Sequence, residues 1–204
     1  MSRPTRRDQV KSDEEYQMIL WLNDAVKFGF VADWQYEPNQ LLLFSKQTYS
    51  ETVRLKTKSK AVQRHLHSEA VYTPDFSISL TEAGKSAFYH VFKPCLLTGN
   101  TNTVWVDIKG SFNPNDQPRY FSVIQKAVYD KHRVWVIRIT PFYAKGKGDD
   151  RKHKGLFVDT FAPESERWMS GRTNPTLNKC GESCINASKF AELYKRTAAQ
   201  QELI

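Results

Sequence analysis

After Ser12 the chain sets apolar residues at helical spacing: Met18, Ile19, Leu22, Ala25 and Val26. Ser12 can cap this helix, and Glu15 three positions later completes a Ser-x-x-Glu box that satisfies the first free amides. Gly29 stops the run. Beyond it the period drops to two. Trp34 to Tyr36 and Leu41 to Phe44 read as a strand pair around Pro38-Asn39, and Thr52 to Lys60 as a strand with Arg54, Lys56, Lys58 and Lys60 on one face. Tyr72 to Leu80 is strand-like, with Pro74 near its start, where a missing N–H costs least. Thr81-Glu82 opens a short helix, Tyr89 to Leu97 reads as an extra strand, and Thr98 to Asn102 as a turn. Val104 to Lys109 is a strand ended by Gly110. Arg119 to about Lys131 predicts a helix whose apolar face is Tyr120, Val123, Ile124, Ala127 and Val128. Val134 to Thr140 is the clearest buried strand; if it lies parallel to its neighbour, the crossover should be right-handed. Leu156 to Phe161 predicts one more strand, and residues 187–201 a final helix packed through Phe190, Leu193 and Tyr194.

One strand breaks its own pattern. Asp107 and Lys109 stand two positions apart at the end of an otherwise apolar stretch, so they point to the same face. Burying charge is costly unless it is paired or binds a metal. Asp75, just after Pro74, offers a second carboxylate at the start of another strand. Two carboxylates at strand ends with a lysine beside one of them make a site for a hard cation such as Mg²⁺. The bland alternative is a surface Asp107–Lys109 salt bridge and an unrelated Asp75 in a Pro-Asp turn.

Pro74-Asp75 followed by Asp107-Ile108-Lys109 resembles the two-part pattern of the PD-(D/E)XK nuclease superfamily. The flanks Tyr72-Thr73-Pro74-Asp75-Phe76 and Asp107-Ile108-Lys109-Gly110 are similar to those of phage-type junction-resolving endonucleases in that superfamily. So is the order Ser-x-x-Glu, apolar helix, glycine and Tyr36-Glu37-Pro38. The resemblance covers mainly residues 12–140. It implies an α/β restriction-endonuclease-like core in the order αβββαβ, with a central mixed sheet flanked by helices. It also implies a metal-dependent deoxyribonuclease that leaves a 5′-phosphate and a 3′-hydroxyl. Asp75 and Asp107 would be the principal Mg²⁺ ligands, with Mn²⁺ able to substitute, and Ile108 would lend its backbone carbonyl. Glu15 would bind a second ion or a bridging water. Lys109 would orient the attacking water or offset charge in the transition state. A branched substrate such as a Holliday junction would call for a homodimer presenting two sites, in the cytoplasm of a bacterial host if phage-encoded. Gln125 and Tyr129, one helical turn apart, resemble a Gln-x-x-x-Tyr motif of some members, and Lys126 shares a helix that commonly faces substrate there.

With 204 residues, 40% hydrophobic and 25% charged, the chain suits one domain with an ordinary core. The net charge of +8 and pI of about 9.3 favour a polyanionic partner, nucleic acid first. Lys56, Lys58 and Lys60, and the loop bearing Lys145, Lys147, Arg151 and Lys152, are candidate phosphate contacts. The same residues would also suit a lysine-protected edge strand and a solvated loop. Cys95, Cys180 and Cys184 form no regular framework and are expected as free thiols in a reducing cytoplasm. No stretch reaches membrane-spanning length, and no phosphate-cradling glycine loop or nucleophile elbow appears, so no membrane contact and no nucleotide cofactor are expected. The expected layout is a flexible basic arm at 1–11, a nuclease core at 12–161 with an insertion at about 80–103, and an extension at 162–204 ending in a helix. Two other readings stand beside the nuclease: a non-catalytic nucleic-acid-binding module that keeps the fold, and an interaction protein whose basic surface meets an acidic partner.

Overall fold

The computed structural model describes residues 3–97, 102–110, 118–145, 152–164 and 184–201. Helix α1 (Asp13–Lys27) starts where the cap predicts: Ser12 Oγ accepts from the Glu15 N–H at 3.1 Å. Met18, Ile19, Leu22 and Ala25 are buried, together with Trp21. Gly29 follows the helix with φ +79°, the left-handed conformation glycine adopts without strain. Strand β1 (Val31–Tyr36) then enters the central sheet.

Between β1 and the next sheet strand come two ribbons. β2 (Leu41–Phe44) pairs with β5 (Ala70–Tyr72), and β3 (Gln47–Arg54) pairs with β4 (Ser59–His67), all antiparallel. β6 (Phe76–Leu80) returns to the sheet, α2 (Glu82–Ala87) and α3 (Tyr89–Leu97) follow, and β7 (Thr103–Ile108) lies antiparallel to β6. α4 (Pro118–His132) leads to β8 (Val136–Ile139), which is parallel to β7. The sheet order is β1-β6-β7-β8. The fold is therefore mixed α/β, with a mixed central sheet flanked by helices. A small ribbon of β9 (Tyr143–Lys145) and β10 (Lys152–Lys154), the short helix α5 (Leu156–Asp159) and the final helix α6 (Ala187–Gln201) complete the described chain.

The core is aromatic. Trp21 stacks on Phe161 at 5.2 Å, and Phe88 stacks on Phe190 of α6 at 5.8 Å. The buried indole N–H of Trp21 donates to Thr160 Oγ1 at 3.1 Å, which spares it an unmet hydrogen bond. Packing across the core is close at Gly84, where an added Cβ would lie 1.9 Å from the Phe30 carbonyl oxygen. Gly84→Ala is therefore expected to cost ~3 kcal/mol in urea denaturation, because backbone rather than a flexible side chain must yield. An unchanged midpoint would contradict this packing.

Several elements differ from the sequence reading. Trp34–Tyr36 and Leu41–Phe44 do not pair with each other, because Glu37 takes φ +44° and the chain leaves the sheet. Thr52 to Lys60 is not one strand; it turns at 55–58, where the Leu55 N–H donates to the Lys58 carbonyl at 2.8 Å, so its four cations do not share a strand face. Tyr72 to Leu80 is split at Thr73–Asp75. Tyr89–Leu97 is a helix: Phe88 and Phe92, four apart, are both buried, a spacing a strand would turn to one face only with its alternate neighbours. Leu156–Asp159 is also helical, preceded by Gly155 at φ +115° in a close approach to Thr140. On α4 only Val128 of the expected apolar face is fully buried, while Tyr120 and Val123 are 68% and 63% exposed. On α6 Phe190 and Tyr194 pack on Phe30, but Leu193 faces solvent.

Two stretches read as appendages join the body. Pro4 and Val10 are buried and the Arg3 guanidinium lies 4.9 Å over the Trp34 ring, so residues 3–11 lie against the body instead of forming a free arm. α6 contributes Ala187 and Ala191 to the core. Cys184, expected as a free thiol, is disulfide-bonded. Its partner, one of Cys95 and Cys180, lies outside the described side chains. No helix among the described residues is long and apolar enough to cross a membrane.

Candidate functional site

β1 and β7 end, and β6 begins, at the same rim of the sheet. β6 and β7 are antiparallel with Phe76 opposite Val106. Asp75 and Asp107 are the next residues beyond that pair, one on each side. The sheet thus brings together two carboxylates that are far apart in sequence. The Glu37 N–H donates to the Asp75 carbonyl at 2.8 Å, which ties this start of β6 to the end of β1. The Asp75 carboxylate is anchored too: its Oδ2 accepts the Ile108 N–H at 2.6 Å.

Asp107 is 4% exposed. Its Oδ1 accepts the Tyr72 hydroxyl at 3.0 Å, and its Oδ2 lies 2.9 Å from the Lys109 ammonium. The ammonium is within ion-pair distance but off the line of a hydrogen bond, so this buried oxygen has a charge partner and no hydrogen-bond donor. The expected pairing of positions 107 and 109 on one strand face is therefore present. The salt bridge is not a surface one, since its acid is buried.

The electrostatics follow from that crowding. Burial, then the Asp107 charge and that of Glu15, push the Asp75 carboxyl up to about 7, against the Ile108 N–H and the Lys109 ammonium, which hold it down. Burial and the charge of Asp107 likewise raise the Tyr72 hydroxyl. In the folded chain Asp75 keeps its proton up to about pH 7, whereas its ordinary value is 3.8. The folded state binds more protons between those two values, so stability falls as pH rises through that window. Asp75→Asn removes this dependence. In EDTA the variant should exceed the parent by ~1–3 kcal/mol at pH 8, a range set low because Asp75 is only partly buried, and the gap should close toward pH 4. A gap equal at both pH values in urea denaturation would contradict the assignment.

Glu15 adjoins the pair and acts on Asp75 through its charge. It is 6% exposed, and its Oε2 accepts the Lys11 N–H at 3.1 Å and the Tyr36 hydroxyl at 2.7 Å. The glutamate reaches the amide before Ser12, so the capping box is displaced by one residue. Among the described residues no three His, Cys, Asp or Glu side chains converge to hold an ion. Its neighbour Glu14 comes close to Gly110, where an added Cβ would meet Glu14 Oε1 at 2.8 Å.

The donor set still fits Mg²⁺. That ion keeps several waters and is commonly held by one or two carboxylates plus substrate phosphate. Two carboxyl groups, one lifted by burial and by its neighbour's charge, meet with the Lys109 ammonium beside one of them, an arrangement that a further cation would stabilise. A cavity of about 440 Å³ opens at Asp107, Lys109 and Tyr72. Tyr120, Phe121 and Ile124 of α4 line it, with Arg138 of β8, which the parallel register sets opposite Asp107. A larger hollow of about 760 Å³ is lined by Arg3, Trp34, Gln40 and Thr73 with the acidic Asp33 and Glu37. Asp107 and Lys109 line the smaller one.

The other expected contacts are scattered. Gln125 donates its side-chain amide to the Val136 carbonyl at 2.7 Å, which ties α4 to β8. Tyr129 packs edge-on against Trp135. Lys126 is exposed on α4. Lys56 and Lys58 sit in the β3–β4 turn, and Lys60 near it on β4. Lys145 and Lys152 are register partners in the β9–β10 ribbon. Lys147, Arg151 and Cys180 lie outside the described residues. The sequence reading missed Tyr72, Tyr120, Phe121 and Arg138; only the register of β7 with β8 could have pointed to Arg138. No family model matches the chain, nor does any curated protein or solved structure match it.

Proposed function

We propose that this chain is a Mg²⁺-dependent DNA endonuclease with a restriction-endonuclease-like core, of the PD-(D/E)XK kind that its two motif halves resemble. One observation carries the reading: Asp75 and Asp107, distant in sequence, are held at one sheet rim, with Asp75 on the Ile108 amide and Lys109 on Asp107. The order helix, three strands, helix, strand agrees with that core, the β2–β5 ribbons and α2–α3 being insertions into it.

Bound at the pair, Mg²⁺ (or Mn²⁺ in its place) would supply Lewis-acid activation of water and of a phosphoryl oxygen. The chain's residues set the stage for that chemistry. The Ile108 amide and the Tyr72 hydroxyl fix the two carboxylates, so little reorganisation is left for the reaction. The Ile108 carbonyl would complete the protein ligands. Lys109 would offset charge developing on the phosphate or orient the attacking water. Arg138 and the aromatic wall of the cavity flank the position a phosphodiester would take. The net charge of +8 favours a polyanion as substrate. Branched DNA would engage two copies.

The test is incubation with supercoiled, linear and four-way-junction DNA, in Mg²⁺ and in EDTA. Metal-dependent cleavage leaving 5′-phosphate and 3′-hydroxyl ends is expected. Binding without cleavage would assign the chain to a non-catalytic nucleic-acid module, and no binding at low salt would point to an acidic protein partner.

A further inference from the structure

We propose that the β3–β4 ribbon is an arm that lies in the major groove of the DNA duplex next to the cleaved phosphate; this rests on the reading of DNA as the substrate. The ribbon pairs from Thr48↔His65 to Arg54↔Ser59, and apart from half-buried Val53 and Val62 its side chains are all exposed. A two-stranded ribbon with so little cover is at best marginal in water. Something outside the described chain would have to complete it, and charge says what. Residues 46–67 carry Lys46, Arg54, Lys56, Lys58, Lys60 and Arg64 against Glu51 alone, and Arg64 Nε already pairs with Glu51 at 2.8 Å.

The two faces differ. Directly opposed residues share a face. One face therefore carries Tyr49, Val53, Val62 and Lys60 together with the Glu51–Arg64 pair. The other carries Thr48, Ser50, Thr52, Arg54, Ser59, Gln63 and His65, which can hydrogen-bond, with Ala61, and no acidic residue. Base edges and phosphates call for such a face. At about 3.4 Å per residue, eight residues span roughly 27 Å, and a groove about 12 Å wide admits a two-stranded ribbon. A second copy of the arm is disfavoured because it would set like cations against one another.

The arm's root leads to the site. It rises from β2 and β5; β5 ends in Tyr72, which donates to Asp107, and the His132 ring of α4 meets the Leu42 carbonyl at 2.9 Å. A duplex held by the arm would thus be held in register with the two aspartates.

The experiment measures binding to a fluorescent duplex in EDTA across a KCl series, with dimethyl sulfate probing of guanine N7 in the major groove. Parent is compared with the triple variant Lys56→Glu, Lys58→Glu, Lys60→Glu, all at solvent-exposed positions. The parent should bind and protect N7 positions. The variant should lose at least about tenfold in affinity and about 2.7 from the log–log salt slope, since each phosphate contact contributes about 0.9. Its protection should vanish. Equal affinity and slope would overturn the proposal, as would tight parental binding with every N7 open, or an effect confined to self-association in light scattering. Failure of the parent to bind DNA would overturn the DNA reading with it. Binding and protection without cleavage in Mg²⁺ would support the arm and remove only the nuclease reading.

Discussion

Asp107→Ala is expected to lower Mg²⁺-dependent cleavage by at least about a thousandfold, since metal activation is worth several kcal/mol and each 1.36 kcal/mol is tenfold in rate. The side chain is buried, fixed by Tyr72 through one oxygen, with the Lys109 ammonium 2.9 Å from the other. Its removal takes half of the carboxylate pair and leaves the Lys109 ammonium facing Asp75 without its partner. The carboxyl of Asp75 should then titrate lower, because the second-largest cause of its rise is the Asp107 charge. Asp75→Ala should match the rate loss. Cleavage within tenfold of the parent, with circular dichroism unchanged, would contradict the assignment of Asp107.

The second large effect is at Lys109. Lys109→Met keeps the stem and removes the ammonium, and should slow cleavage by ~10²–10³-fold, the usual loss for one preorganised group that meets transition-state charge. The same ammonium sits 2.9 Å from Asp107 Oδ2, where it competes with a metal for that oxygen. At pH 8.5 the variant should therefore bind Mn²⁺ more tightly while cleaving more slowly. A merely structural lysine would not divide the two readouts in this way. Weaker metal binding and slower cleavage together would place Lys109 in support of the metal, not of the phosphate.

What could be read from the sequence and what could not divides by the range of the interaction. The cap at Ser12, the α1 face and the Asp107–Lys109 spacing are local, and local spacing fixes them. The meeting of Asp75 with Asp107 could be proposed only through the motif, since pairing of β6 with β7 is non-local. Alternation misled at Thr52–Lys60, because a hairpin and a single strand share a period of two; only the Leu55–Lys58 hydrogen bond separates them. It misled again at Tyr89–Leu97, where short apolar runs leave helix and strand alike. Gln125 matched a motif by spacing, yet its amide serves the Val136 carbonyl, a partner that no spacing rule could name. Arg138 reaches the site through the β7–β8 pairing and Tyr72 through its hydroxyl on Asp107, and both were invisible for the same reason.

The central claim is that Asp75 and Asp107 share one divalent ion. Anomalous X-ray scattering from crystals grown in Mn²⁺ tests it most directly. The predicted result is a manganese peak bonded to both carboxylates at ~2.1 Å, its remaining positions filled by water and backbone carbonyl. Saturating Mn²⁺ bound elsewhere, with the two carboxylates still held only by Ile108, Tyr72 and Lys109, would contradict it.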